Sequence, residues 1–128
     1  GSWPNVTVVG RVPSMVEYFA SAAAVIVPLR AGTGTRLKIL EAMAAGTPVV
    51  STAIGAEGLG LEPGRDYLEA ETAADFVVAV RLLQDDPECA ARLSSRGREI
   101  VRERFSVDAL APVLADHLGP LLAASPPR

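Results

Sequence analysis

The amino-acid sequence predicts an α/β fold, a Rossmann-like parallel sheet flanked by helices, and three observations lead there. Short apolar runs rich in β-branched residues, Val6-Thr7-Val8-Val9, Val25-Ile26-Val27 and Pro48-Val49-Val50-Ser51, read as strands. Segments with apolar residues at helical spacing separate them. A glycine-rich turn, Ala31-Gly32-Thr33-Gly34-Thr35, joins the second run to the helix that follows it. That order is strand, loop, helix, strand. A parallel unit of this kind points free N–H groups and about half a positive charge at whatever lies on the loop, a setting suited to phosphate.

At 128 residues and 49% hydrophobic, the chain is large enough for one buried core and one domain. Its net charge of -3 and the lack of a basic run argue against nucleic acid as a partner. A single cysteine, Cys89, excludes an internal disulfide framework and suits a reducing, cytoplasmic setting. No apolar stretch has the length of a membrane span. Gly1-Ser2 reads as an expression-tag scar, so the chain is expected to be a piece of a longer protein.

The elements follow in order. Val6 to Val9 is expected to be a buried strand stopped by Gly10. Pro13-Ser14 opens a helix with Ser14 as N-cap and Glu17 completing a capping box, and Met15, Tyr18, Phe19 and Ala22 form its apolar face. Val25 to Val27 is the second strand, closed by Pro28. In the helix from Thr35 to Ala45, Leu37, Ile39, Leu40, Met43 and Ala44 fill an apolar arc, with Lys38 and Glu41 on the polar edge. Pro48 to Ser51 is the third strand.

A second glycine loop, Ile54 to Gly60, is too long for a simple turn and is a candidate binding loop. After the turn at Pro63-Gly64, a short strand is expected near Tyr67-Leu68. Thr72 caps a helix to Leu83 with Phe76, Val77, Val80 and Leu83 as its stripe. Asp86-Pro87 opens another, running to about Arg104, in which Gly97 threatens continuity. Ser106 caps a last helix to Leu118; Pro112 should kink or delay it, and Gly119-Pro120 should end it. The domain is thus expected to occupy residues 3–105, the last helix 106–120, and a disordered tail 121–128.

Ligands of open α/β sheets sit beyond the carboxyl ends of the strands. Three loops leave strand ends in this reading: Gly10-Arg11-Val12, Arg30 to Thr35, and Thr52 to Gly58. The middle loop offers amides and threonine hydroxyls to phosphate oxygens, and Arg30, Arg36 or Lys38 could add charge. Glu41, an acceptor when ionised, suits sugar hydroxyls. Plainer readings stay open: Gly32 and Gly34 as turn glycines, Lys38 and Glu41 as a solvated i,i+3 ion pair, Glu57 as an ordinary loop carboxylate. His117 and Cys89 lack partners for catalysis, and no His, Cys and carboxylate cluster has metal-ligand spacing. The P-loop and nucleophile-elbow patterns are missing.

Taken together, Val9-Gly10-Arg11-Val12, Pro28-Leu29, the block Gly32-Thr33-Gly34-Thr35-Arg36-Leu37-Lys38-Ile39-Leu40-Glu41-Ala42-Met43-Ala44-Ala45-Gly46, Pro48 to Thr52 and Gly55-Ala56-Glu57-Gly58-Leu59 resemble a known family. The resemblance, from about Val6 to Phe105, is to the C-terminal, donor-binding half of GT-B glycosyltransferases of the retaining GT4 type, the glycosyl transferases group 1. It implies a metal-independent enzyme, without a cofactor, whose substrate is a nucleotide-sugar, UDP- or GDP-linked, and whose upstream N-terminal domain binds the acceptor. By position it implies that Glu41 holds the ribose hydroxyls, that the loop of Gly32, Thr33, Gly34 and Thr35, with Lys38, meets the diphosphate, and that Arg11 and Val12 lie near the base. Thr52, Gly55 and Glu57 would belong to a loop by the donor sugar. Thr33 stands where the family often has a glutamate. Two other functions remain open at this point: a non-catalytic nucleotide- or sugar-binding module, and a nucleotide-sugar epimerase of the same architecture.

Overall fold

The computed structural model of the chain describes residues 3–34 and 36–123. Among the described residues, three strands form one parallel sheet in the order β1 (Val25–Val27), β2 (Val49–Ser51), β3 (Leu68–Glu69). The register pairs Val25 with Val49 and Val50 with Leu68. β2 is central, and all three of its residues are buried. Because successive strand residues face opposite ways, Val49 joins a core with Phe19, Val27, Ile39 and Met43, while Val50 joins a second core with Ala70, Ala79, Leu83 and Leu93. A strand buried on both faces has no place for a polar alternation, which fits the apolar Val49-Val50; the buried Ser51 that ends it donates its hydroxyl to Thr52 O at 2.9 Å.

The helices are α1 (Val16–Ser21), α2 (Leu37–Ala45), α3 (Ala53–Ala56), α4 (Ala73–Asp85), α5 (Pro87–Ile100) and α6 (Val107–Ala123), with a π-helical turn Val101–Phe105 between the last two. α2 is the crossover between β1 and β2. Ile39, Ala42 and Met43 bury its inner face, and Gly46 ends it in a left-handed conformation at φ 79° that a side chain would resist. α4 starts at a capping box: Thr72 Oγ1 accepts from Asp75 N, and the Asp75 carboxylate accepts from Thr72 N at 2.8 Å and Glu71 N at 3.2 Å. These hydrogen bonds, led by those from Thr72, hold the Asp75 carboxyl below its ordinary range. α5 starts with Asp86 as N-cap and Pro87 in the first turn.

α5 also ties down the connection between β2 and β3. The Arg96 Nε lies 3.0 Å from Oδ1 of the buried Asp66, whose Oδ2 accepts from Glu62 N at 2.9 Å. Further along, Arg104 Nη2 donates to Leu59 O at 2.6 Å. Ser94 Oγ donates to Gly46 O at 2.6 Å, so the end of α2 is held by the same helix.

Several expectations are corrected. Val6 to Val9 is neither a strand nor buried, and Val8 is 90% exposed. A strand needs a neighbour to accept its hydrogen bonds, and among the described residues none lies beside this run. α1 begins at Val16 after Met15, without a capping box; Ser14 Oγ accepts only from Val16 N, and of the expected apolar face Phe19 alone is buried. α2 begins at Leu37, with Leu37 and Ala44 exposed. The loop after β2 contains α3, opened by Thr52 as its N-cap. On α4, Val77 is exposed and Ala79 takes its place in the core.

α5 runs unbroken through Gly97, because that residue packs against α2: a Cβ there would come within 3.1 Å of Met43 Cγ and 3.3 Å of its Cα. α6 contains both Pro112 and Pro120 and reaches Ala123, past the expected stop. Proline holds a helical φ, so it deletes a hydrogen bond without requiring the helix to end. Ser106 does act at its start, accepting from Ala109 N at 3.2 Å. Residues 121–123 of the expected tail are therefore helical; 124–128 and Gly1-Ser2 lie outside the described residues.

Candidate functional site

The site is built on the start of α2. Gly32 and Gly34 have φ of 143° and 147°, a backbone region that side chains resist, and a Cβ on either would meet nothing within 4 Å. They are therefore glycines for conformation and not for packing, and they leave an exposed loop with room above it. Thr33 is exposed there, and Thr35 lies outside the described residues. Arg36 occupies the N-cap position without a capping hydrogen bond from its side chain. Among the described residues, the amides of Leu37 and Lys38 have no partner, so the donors a helix start leaves orphaned stay free.

A cavity of about 140 Å³ opens at this point, lined by Val27, Leu29, Arg36, Lys38, Ile39 and Gly55. Two of these residues are cationic and none is acidic. Lys38 and Glu41 do not form the ion pair that their spacing permits; both are exposed, with no partner among the described residues. Glu41 lies one turn beyond Leu37, outside the cavity lining and free to accept hydrogen bonds.

The second loop is cross-linked to the first. Thr52 Oγ1 donates to Leu29 O at 2.5 Å and accepts from Gly55 N at 2.9 Å, which joins the chain leaving β1 to the chain leaving β2. Thr52 is buried and its hydroxyl is occupied by these two bonds. Gly55 is needed for close approach, since its Cβ would lie 2.3 Å from Ser51 Oγ. Glu57 ends α3, exposed and without a partner among the described residues. Arg11 is exposed and Val12 half-buried; since Val6 to Val9 is not a strand, their loop does not leave a sheet end as expected, and among the described residues no hydrogen bond or ion pair joins Arg11 to the other two loops.

One residue that the sequence did not single out, Glu71, also sits at the strand ends. Arg30 and Glu71 line a second cavity of about 270 Å³ with Pro28, Thr52, Thr72 and Phe76. Glu71 Oε1 accepts from Ala53 N at 2.7 Å and so holds the start of α3. Its position just before the cap of α4 was the available signal, although nothing in the sequence indicated the contact with α3. His117 lies far from this region on exposed α6, where its Nδ1 donates to Val113 O at 2.7 Å. Among the described residues, no group of three or more His, Cys, Asp or Glu could hold a metal ion, and no helix is long and apolar enough to cross a membrane.

Comparison with known proteins gives the family. The family model for Glycosyl transferases group 1 matches residues 1–86. The chain belongs to this family. Among similar proteins, D-inositol 3-phosphate glycosyltransferase 1 of Catenulispora acidiphila is 35% identical over 85 residues, which are 65% of this chain and 19% of that protein. Trehalose synthase of Rubrobacter xylanophilus is 32% identical over 101 residues, 79% of this chain and 24% of that protein. The chain thus spans about a fifth to a quarter of the length of these relatives. A solved structure of sucrose-phosphate synthase from Thermosynechococcus elongatus superposes with a TM-score of 0.75 at 30% identity, over 87% of this chain and 28% of that one. The group 1 domain described here is a glycosyltransferase domain of GT4 type, with the parallel α/β fold of the GT-B architecture.

Proposed function

We propose that this chain is the nucleotide-sugar-binding part of a retaining, metal-independent glycosyltransferase, with the acceptor held by a second, N-terminal domain that precedes it. The observation that carries this reading is the open start of α2: an uncapped helix, free Leu37 and Lys38 amides, and a cavity lined by two cations and no carboxylate. Transfer of the sugar leaves a nucleoside diphosphate, whose negative charge grows as the glycosidic bond breaks. Amides and cations fixed beforehand stabilise that charge without having to reorganise. Glu41 orients the nucleotide through its ribose hydroxyls and takes no part in proton transfer. Thr52, Gly55 and Glu57 flank the sugar, with Thr52 and Gly55 shaping the loop that Glu57 ends.

The test is calorimetric titration of the intact protein with UDP, GDP and ADP. One of them should bind, and Glu41→Ala should weaken it by about 1–3 kcal/mol, the loss of a hydrogen bond to a charged group. Failure of all three to bind would overturn the reading. Transfer of sugar from the matching nucleotide-sugar would separate an enzyme from a non-catalytic module, and release of free nucleotide without transfer would indicate an epimerase.

A further inference from the structure

The chain from Thr52 to Gly60 is fastened at both ends and open in the middle. At its start, Thr52 Oγ1 donates to Leu29 O and Glu71 Oε1 accepts from Ala53 N. At its far end, Arg104 Nη2 donates to Leu59 O at 2.6 Å and Nη1 to Gly60 O at 3.3 Å, so one guanidinium spans two successive carbonyls. The seat is close-fitting: a Cβ on Gly60 would lie 2.9 Å from Arg104 Nη2. Between the two fastenings, the Glu57 carboxylate is exposed and has no partner among the described residues. Only Gly58, at φ 83°, separates Glu57 from the buried Leu59. Arg104 owes its place to the π-helical turn Val101–Phe105. Leu93, Gly97 and Ile100 recur at α spacing on the buried face of α5, and one more α turn would give that face to Arg104. A π turn comes round one residue later, so Phe105 packs against the core and Arg104 stands beside it, its guanidinium 5.2 Å from the Phe105 ring centre.

Resting on the donor-site reading above, we infer that Arg104 is a positioning residue for the choice of donor sugar: by holding Leu59 and Gly60 it fixes where the Glu57 carboxylate stands, and so which sugar hydroxyls that carboxylate meets. Arg104 does not touch the substrate. Its effect passes through two backbone carbonyls and the Gly58 turn to Glu57. Epimeric sugars differ in the direction of one hydroxyl, and a carboxylate tells them apart only if its oxygens are held within hydrogen-bond tolerance of one direction and not the other. A misplaced hydroxyl then leaves a polar group unpaired, which is the stronger form of rejection. A guanidinium suits the anchor because its donors form a rigid fork that spans both carbonyls, whereas an ammonium is a point charge on a flexible stem.

The experiment compares the intact protein as wild type, Arg104→Met, Arg104→Lys, Glu57→Gln and the double variant Glu57→Gln with Arg104→Met, each checked for folding by thermal melting. Each is titrated with UDP, GDP and ADP, and with the glucose, galactose, mannose and N-acetylglucosamine conjugates of the nucleotide that the wild type binds. Arg104→Met keeps the apolar stem, so it should leave the free nucleotide within about twofold while the affinity ratio between the preferred conjugate and the others falls about tenfold. Arg104→Lys should fall between, which keeps the test available if Arg104→Met does not fold. In the Glu57→Gln background, Arg104→Met should remove no further discrimination, because a residue that acts through Glu57 has nothing left to position. An unchanged ratio in Arg104→Met overturns the inference while the donor site stands, and so does a fully additive loss in the double variant. Equal loss for free nucleotide and conjugates also overturns it, by assigning Arg104 to stability alone. If the wild type binds a nucleotide but prefers none of the conjugates, this inference fails and the donor-site reading stands. If it binds no nucleotide, that reading fails first and this inference falls with it.

Discussion

Replacing Thr52 by valine should separate the two loops at the strand ends, and the expected cost can be worked out bond by bond. Valine matches threonine in shape, so packing is retained and the hydroxyl alone is lost. Thr52 is 2% exposed, and its Oγ1 joins Leu29 O at 2.5 Å to Gly55 N at 2.9 Å. Gly55 is buried, so its N–H has no access to water and should cost about 1–3 kcal/mol when orphaned. The bond to Leu29 O, on a more exposed residue, is worth about 0.5–1.5 kcal/mol. The methyl group that replaces the hydroxyl returns about 0.8 kcal/mol by burial. The net loss is about 1–4 kcal/mol, read from urea unfolding as a lower midpoint at unchanged slope. Thr52→Ser keeps both bonds, loses a methyl group, and should cost about 1 kcal/mol. If Thr52→Val were no less stable than Thr52→Ser, the hydroxyl would not be the link between the loops.

Other substitutions test other parts of the structure. Gly97→Leu should destabilise the protein by about 1–3 kcal/mol in the same unfolding assay, because its side chain must displace Met43; Gly97→Ala should cost less, since about 1 kcal/mol of helix propensity offsets a milder contact. The Asp75 carboxyl is held below its ordinary value of 3.8 in the folded chain, so its contribution is complete above that pH and is lost as pH falls through the lower, folded value. The stability difference between wild type and Asp75→Asn, followed from neutral pH to about pH 2, should therefore shrink on acidification; a constant difference would exclude the capping carboxylate as its source.

How far each element could be read from the sequence depended on the range of the interactions that form it. The α4 cap at Thr72, the α5 start at Asp86-Pro87 and the α6 start at Ser106 are local hydrogen bonds within three or four residues, and each stands where the sequence placed it. The strands at Val25–Val27 and Val49–Ser51 were legible from their β-branched runs, although only the second is buried throughout and Ile26 of the first is exposed. Val6 to Val9 has the same composition and forms no strand, since pairing depends on a neighbour that composition cannot supply. The position of Arg36 shows the same limit within the site: its charge was visible, but the lack of a partner for its buried Nε was not.

The sequence by itself determined the parallel β-α-β order, the glycine loop before α2 and the family to which the chain belongs, because these rest on residue type, spacing and caps formed between near neighbours. Tertiary structure decided what joins those pieces. Thr52 bridges two loops 23 residues apart in sequence, Asp66 meets Arg96 across 30, and Gly97 lets α5 close on Met43 of α2. Such contacts depend on where the backbone brings distant residues. A hydroxyl, a carboxylate or a missing side chain acquires its role only once its partner has arrived.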